Sequence, residues 1–280
     1  MTEERNPYAA PASRVVPTAT AAVAEDSALP VLADRPQARP AGEGGEWLSE
    51  GWQLFRRQPV PLVALCLVYF IIYMVVASVL SLLPLIGGIV AMGFSVVFLS
   101  GLTLAADRLY RGEEVNFDQL FDGFQHPARV RLALLGIMVG VLYLLIGVLA
   151  ATLAGALPFW QAAVGLSDAD PGVLLASGEL PWMPVLLMIL YSLLLAVPLT
   201  MGIWFSGGLV LFNGQGPLES LLWSFRACLR NILPLTVYSL LLALLFVASI
   251  FTLFLGLLVL WPLFILSWYV SYRRICTVRE

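Results

Sequence analysis

Residues 232–272 form an unbroken run of 41 side chains with no Asp, Glu, Lys, Arg or His. About 20 apolar residues already cross a hydrocarbon core, so the run predicts two membrane helices, 232–251 and 256–272, turning near Gly256. The stretch before it, 217–231, places Leu218, Leu221, Leu222, Phe225 and Leu229 on one helical face. That periodicity reads as an amphipathic helix on the membrane surface, with Gly216 and Pro217 at its start, Glu219 in its first turn and Arg226 and Arg230 near its end, as the helix dipole prefers. Trp47, Trp52, Phe117, Phe121, Phe225, Arg226 and Arg230 are the expected interfacial anchors of this and two related stretches.

Those stretches recur along the chain. Residues 46–58 carry Leu48, Trp52 and Phe55 on one face with Trp47 beside them, and Arg56 and Arg57 just before a span at 62–83. A return span at 89–106 leads to 115–124. There Asn116 and Gln119 have the spacing of a helix cap, Val115 can staple against Leu120, and Phe117, Leu120, Phe121 and Phe124 share a face. Spans at 132–157 and 184–212 follow, separated by a loop holding Asp168, Asp170 and Glu179 but no basic residue. The fourth span, roughly 43 Å if fully helical, exceeds a core of about 30 Å, so tilt or a break is expected, with Pro198 and Gly202 marking the break. The fold class is therefore all-α: a polytopic bundle of six spans in three hairpins, each preceded by an amphipathic interfacial helix. A 173-residue shift aligns Trp52 with Phe225, Arg57 with Arg230, Pro61 with Pro234 and Leu62 with Leu235, which favours a triplicated unit over chance.

Composition agrees: 60% of residues are hydrophobic and 12% charged, against about 25% charged in a soluble domain. All basic residues are arginine, and eleven lie beyond residue 45. They flank alternate connections: Arg56 and Arg57; Arg108, Arg111, Arg129 and Arg131; Arg226 and Arg230; Arg273, Arg274 and Arg279. The positive-inside rule then places both termini in the cytoplasm and the Asp168 loop outside, at a bacterial inner membrane. Residues 1–45, with six prolines and eleven alanines, read as a disordered cytoplasmic tail without the basic start and apolar core of a signal peptide. Within it Asn6, Pro7, Tyr8 and Pro11 form a candidate docking motif for a cytoplasmic protein, set against a plain spacer.

The segments Ser224–Asn231, Trp204–Phe205, Gly51–Trp52, Tyr269–Arg273 and the Asn-Pro-Tyr-Ala-Ala-Pro tail together resemble a family of proteobacterial multi-pass integral membrane proteins that carries no assigned activity. The resemblance implies location and architecture only. More distantly, the alternation of amphipathic helix and hairpin is similar to the membrane domain attached to some glycerophosphodiester phosphodiesterases, without the catalytic domain that would carry hydrolysis. Where the family has an acidic residue after its terminal Ser-Tyr-Arg, this chain has Arg274.

Chemistry-bearing motifs are scarce. There is no P-loop, dinucleotide fingerprint or nucleophile elbow, the single histidine is His126, read as a turn residue, and Cys66, Cys228 and Cys276 are too far apart in setting for a zinc site. No enzyme activity, cofactor, metal or nucleic-acid partner is expected; a net charge of −3 offers no phosphate-binding face. The expected spans hold no ionisable side chain, which weakens coupled transport. Gly136, Gly140, Gly147, Ala151 and Gly155 line one face of the third span and predict close helix packing, within the bundle or across a homodimer seam. Two readings stay open: a membrane scaffold or accessory protein, and a small transporter or lipid-handling protein built on the fourth span.

Overall fold

The computed structural model describes residues 30–176 and 182–278. The helices are α1 (Glu43–Phe55), α2 (Pro59–Leu80), α3 (Ile86–Tyr110), a 3₁₀ turn (Phe117–Phe121) running into α4 (Asp122–Gln125), α5 (Arg129–Ala154), α6 (Leu157–Ala163), α7 (Pro171–Ala176), α8 (Trp182–Asn213), α9 (Pro217–Arg230), α10 (Ile232–Ile250) and α11 (Leu257–Cys276). Helices are what oil permits, because every backbone N–H and C=O must find its partner within the segment. Prolines at the first turns of α2 and α9 supply the fixed φ that starts a helix without a donor to lose.

Five helices, α2, α3, α5, α8 and α10, are long and apolar enough to cross a membrane. The sixth expected span coincides with α11, whose 20 residues include Ser267, Trp268, Tyr269, Ser271, Tyr272 and two terminal arginines, most of them buried in protein. Exposed residues such as Ile71, Leu194 and Leu240 cover the outer flanks of the long helices, where apolar contact with lipid replaces contact with protein.

Each amphipathic element packs on the second long helix of the preceding pair, and the first element closes onto the last helix. α1 lies on α11 with Gly51 against Ser267; the 3₁₀ turn and α4 lie on α3 with Gly123 against Val97 and Ser100; α9 lies on α8. Gly44, Gly51 and Gly123 are glycines because a Cβ there would strike a neighbouring backbone or hydroxyl. α1 also wedges between α10 and α11 by packing Gly44 on Pro234 and Tyr238, so these two helices touch each other little.

Several expectations are corrected. Residues 30–45 do not continue a disordered tail: 30–42 run as a strap bridged antiparallel to the C-terminus at Leu32 and Thr277, and residues 43–45 open α1. Trp47 is fully buried, its ring edge-on to Tyr238 at 5.9 Å, and so is no interfacial anchor. The Asn116 cap does not form; the Gln119 amide turns back to the Glu114 carbonyl instead, and the segment starts as a 3₁₀ turn. α8 continues through Pro198 without interruption, since a proline forfeits one backbone bond while its neighbours keep theirs. Gly155 leaves the packing face: it ends α5 in the left-handed conformation at φ 71°. α3 extends past 106 and carries Asp107, a buried carboxylate.

Candidate functional site

Two places concentrate chemistry. The first is the end of the bundle that gathers the arginines. The strap is tied there by two asparagines: Asn213 Nδ2 donates to the Pro30 carbonyl at 2.8 Å, and Asn231 Nδ2 donates to the Gln37 carbonyl at 2.9 Å. Asn231 Oδ1 also accepts the Arg39 amide at 2.9 Å. Backbone bonds from Ala33 to Cys276 and from Gln37 to Ile275 complete the seam with the C-terminus. Neither asparagine belongs to a periodic pattern, so only their isolation beside long apolar runs signalled them.

Arg274 lies at this end too. Its guanidinium meets Glu46 and Glu50 at 2.7 Å each and Glu43 at 3.5 Å, all three on one face of α1 at spacings of 3, 4 and 7. Burial works against its charge, but the Glu46 hydrogen bond and the Glu50 and Glu43 carboxylates raise its pKa further above the guanidinium value. Beside it Asp107 accepts from Tyr269 and pairs with Arg111, while Arg273 covers the Tyr110 ring at 5.2 Å. Glu46, Glu50, Arg57, Tyr110 and Arg274 rim an open polar pocket of about 630 Å³. The pocket mixes both charge signs, so it has the character of a polar protein contact rather than of a phosphate cradle.

The second place is an apolar cavity of about 290 Å³ among α3, α5, α8 and α11. No Asp, Glu, His, Cys, Lys or Arg lines it. Three of its five hydroxyls are committed to their own helices: Ser100 to Val97, Thr103 to Leu99 and Ser206 to Ile203; Thr200 and Tyr143 complete the set. Trp268 Nε1 donates to the Trp204 carbonyl at 2.8 Å, whereas the buried Trp204 Nε1 has no partner among the described residues.

Between these places α9 grips α8 through a small-residue face that the leucine periodicity concealed. Ser220, Leu221, Ser224, Ala227 and Cys228 are buried, while Leu218, Leu222 and Leu229 face outward with Arg226 and Arg230, and Phe225 is half-buried. Ser224 Oγ donates to the Met201 carbonyl at 2.8 Å and accepts the Phe205 amide at 2.9 Å, standing at the i, i+4 position of the α8 ladder. Cys228 Sγ adds a contact to the same carbonyl at 3.3 Å, and burial pushes its thiol up to about 12. Gly202 packs under Leu221, so it is a helix-crossing point and no break.

The remaining expected residues are dispersed. Gly136 and Gly140 lie against Gly93, Met92 and Ile89 of α3, Gly147 lies under the Trp160 indole, and Ala151 is buried. Trp52, 42% exposed, stacks on Phe55, and Phe117 and Phe121 are exposed beside α4. Asn6, Pro7, Tyr8 and Pro11 lie outside the described residues. His126 turns the chain into α5, its Nδ1 accepting the Ala128 amide at 3.2 Å. All three cysteines are free, and no group of three metal-ligating side chains occurs among the described residues.

No protein-family model matches the chain, and no solved structure does. The chain is similar to a probable inner membrane protein of Burkholderia thailandensis, 28% identical over 208 residues that cover 72% of each chain. With five membrane-capable helices in the same molecule, this is a multi-pass helical membrane protein.

Proposed function

We propose that the protein is a non-enzymatic scaffold or accessory protein of the bacterial inner membrane, with six spans in three hairpins, both termini cytoplasmic, and the arginine-bearing end as its docking plate. The observation that carries this reading is the strap of residues 30–42. It ties the N-terminal segment, α1, α9 and the C-terminus into one polar plate beside an open pocket, whereas the space between the long helices holds no charged group. The opposite end supports the orientation, since Asp168 and Asp170 lie there and the described residues of its loops have no arginine. The resemblance of the motif-bearing segments to proteobacterial membrane proteins supports the same compartment.

The transporter reading has less support. α8 is not unwound at Pro198, and Asp107, the buried carboxylate of α3, is tied to Arg111 and Tyr269 away from the cavity. The test has two arms. A reporter fused after Gly172 is expected to act as external and one after Glu280 as internal; the reverse pattern overturns the orientation. In mild detergent, a stoichiometric cytosolic partner is expected to co-purify with the full chain and to be lost when Arg57, Arg226 and Arg230 become Glu. Retention of that partner by the triple variant, or none with the full chain, overturns the docking plate.

A further inference from the structure

We propose that the cavity among α3, α5, α8 and α11 holds one acyl chain of a bilayer phospholipid, with the lipid phosphate at Arg129 and Arg131. The lining sets the ligand class. Of the five lining hydroxyls, Ser100, Thr103 and Ser206 already donate to their own helix carbonyls, and apart from Thr200 and Tyr143 the wall is mostly apolar, so the space suits a hydrocarbon better than a file of water, which needs two or more polar partners per molecule. An ion finds no carboxylate, imidazole, thiol or basic side chain there. The volume of about 290 Å³ accommodates about ten methylene-sized groups at about 30 Å³ each. Along α8 the lining runs from Thr200 to Leu211, about 16 Å at 1.5 Å per residue, which is about the depth of one leaflet of a 30 Å core.

The position sets the source. Leu99 and Tyr143, 38% and 37% exposed, belong both to the lining and to the outer surface, so the cavity is continuous with lipid. At its other end the lining residue Leu132 follows the exposed Arg131, whose guanidinium also donates to the Gly214 carbonyl, and exposed Arg129 lies three residues before Leu132 at the start of α5; this charge complements a phosphate. Gly207 forms part of the wall, and a Cβ added there meets nothing within 4 Å. Arg129 and Arg131 belong to the same arginine-bearing end as the docking plate, but the inference does not rest on that reading, whose test substitutes Arg57, Arg226 and Arg230 instead.

The experiment compares the full chain with Gly207→Leu, which narrows the cavity, and with Gly88→Leu, whose added side chain also meets open space but outside the cavity lining. Each is reconstituted in phosphatidylcholine nanodiscs with a phosphatidylglycerol carrying a diazirine in its acyl chain, or with the free fatty-acid analogue. After illumination, label from the phospholipid is expected on 96–103 and 200–211 of the wild type and of Gly88→Leu, reduced about tenfold in Gly207→Leu at unchanged melting temperature. Excess unlabelled phosphatidylglycerol should remove the wild-type label, a readout that stands even where Gly207→Leu melts early. Arg129→Gln with Arg131→Gln should weaken labelling severalfold. Label confined to outward residues, label that excess lipid does not displace, or equal label in Gly207→Leu overturns the site; stronger labelling by the free fatty acid overturns the phospholipid as source.

Discussion

Ser224 on α9 and Asn231 at its C-cap, seven residues apart, show how polar side chains carry different weights at one helix. Ser224 sits between a carbonyl and an amide that form an ordinary helical pair, so its removal leaves two groups able to bond each other. Ser224→Ala should therefore cost less than about 1 kcal/mol, whereas Ser224→Val, which adds bulk against backbone, should cost about 2–3 kcal/mol. Asn231 has no such fallback: fully buried, it serves Gln37, Arg39 and Ala227 at once. Asn231→Ala should cost about 3 kcal/mol in thermal unfolding and open the strap to hydrogen exchange at residues 33–39; equal protection in the variant would sink this assignment. His126 adds a pH dependence. Burial and then Arg131 lower its pKa below 6.5 in the folded chain, so the unfolded chain takes up the proton first. Its contribution is present above about pH 6.5 and is lost as pH falls through the lower folded value. The melting temperature should drop more between pH 7.5 and 5.5 in the wild type than in His126→Gln, and parallel curves would contradict it.

At the scale of elements, the glycines in and at the end of α5 separate two physical roles that one sequence stripe merges. A Cβ on Gly136 would stand 2.7 Å from the Gly93 Cα, a backbone atom that cannot turn aside, so Gly136→Leu should force α3 and α5 apart at a cost of about 3 kcal/mol. Gly155→Ala meets no atom and should cost about 1 kcal/mol, through its positive φ alone. Ranking both variants by thermal unfolding in detergent checks the distinction; equal losses would refute it. The same contrast explains what was legible beforehand. Runs of apolar residues mark long helices well, because hydrophobic length is itself the requirement of the bilayer. They do not say which face meets protein, since lipid and core are equally apolar. On α9 the leucines therefore pointed to the outward side, and the inward side is written in Ser220, Ser224, Ala227 and Cys228. The buried face of α1, with Trp47, Gly51, Leu54 and Phe55, stands at the same 173-residue offset from those four. The offset is stronger on buried faces than on the residues first aligned.

For the whole molecule, the sequence showed a membrane bundle but hid how its polar end is closed, because the strap has neither periodicity nor hydrophobic length. Ordering such a segment costs about 1–2 kcal/mol per residue in backbone entropy, so its 13 residues must be offset by what they bury and bond. Pro30 and Ala33 are buried, and the partners of the strap are side chains fixed by other elements: Asn213, held also by the Tyr272 hydroxyl at 2.6 Å, and Asn231. Cutting the chain at two points separates this contribution from that of the preceding residues. A chain beginning at Pro30 keeps every bond described and should melt as the full chain does. A chain beginning at Glu43 loses the strap, leaves the Cys276 and Ile275 carbonyls and both asparagines short of a partner, and should lose about 2–4 kcal/mol, since water at this end recovers part of the deficit. Because Arg39 also reaches the Arg274 carbonyl and Glu43, the second truncation should loosen α1 from α11 and raise hydrogen exchange over residues 43–50, well beyond the cut. Unchanged exchange over α1 would mean that the strap lies on a finished bundle, and that the seam contributes nothing to holding the ring of helices shut.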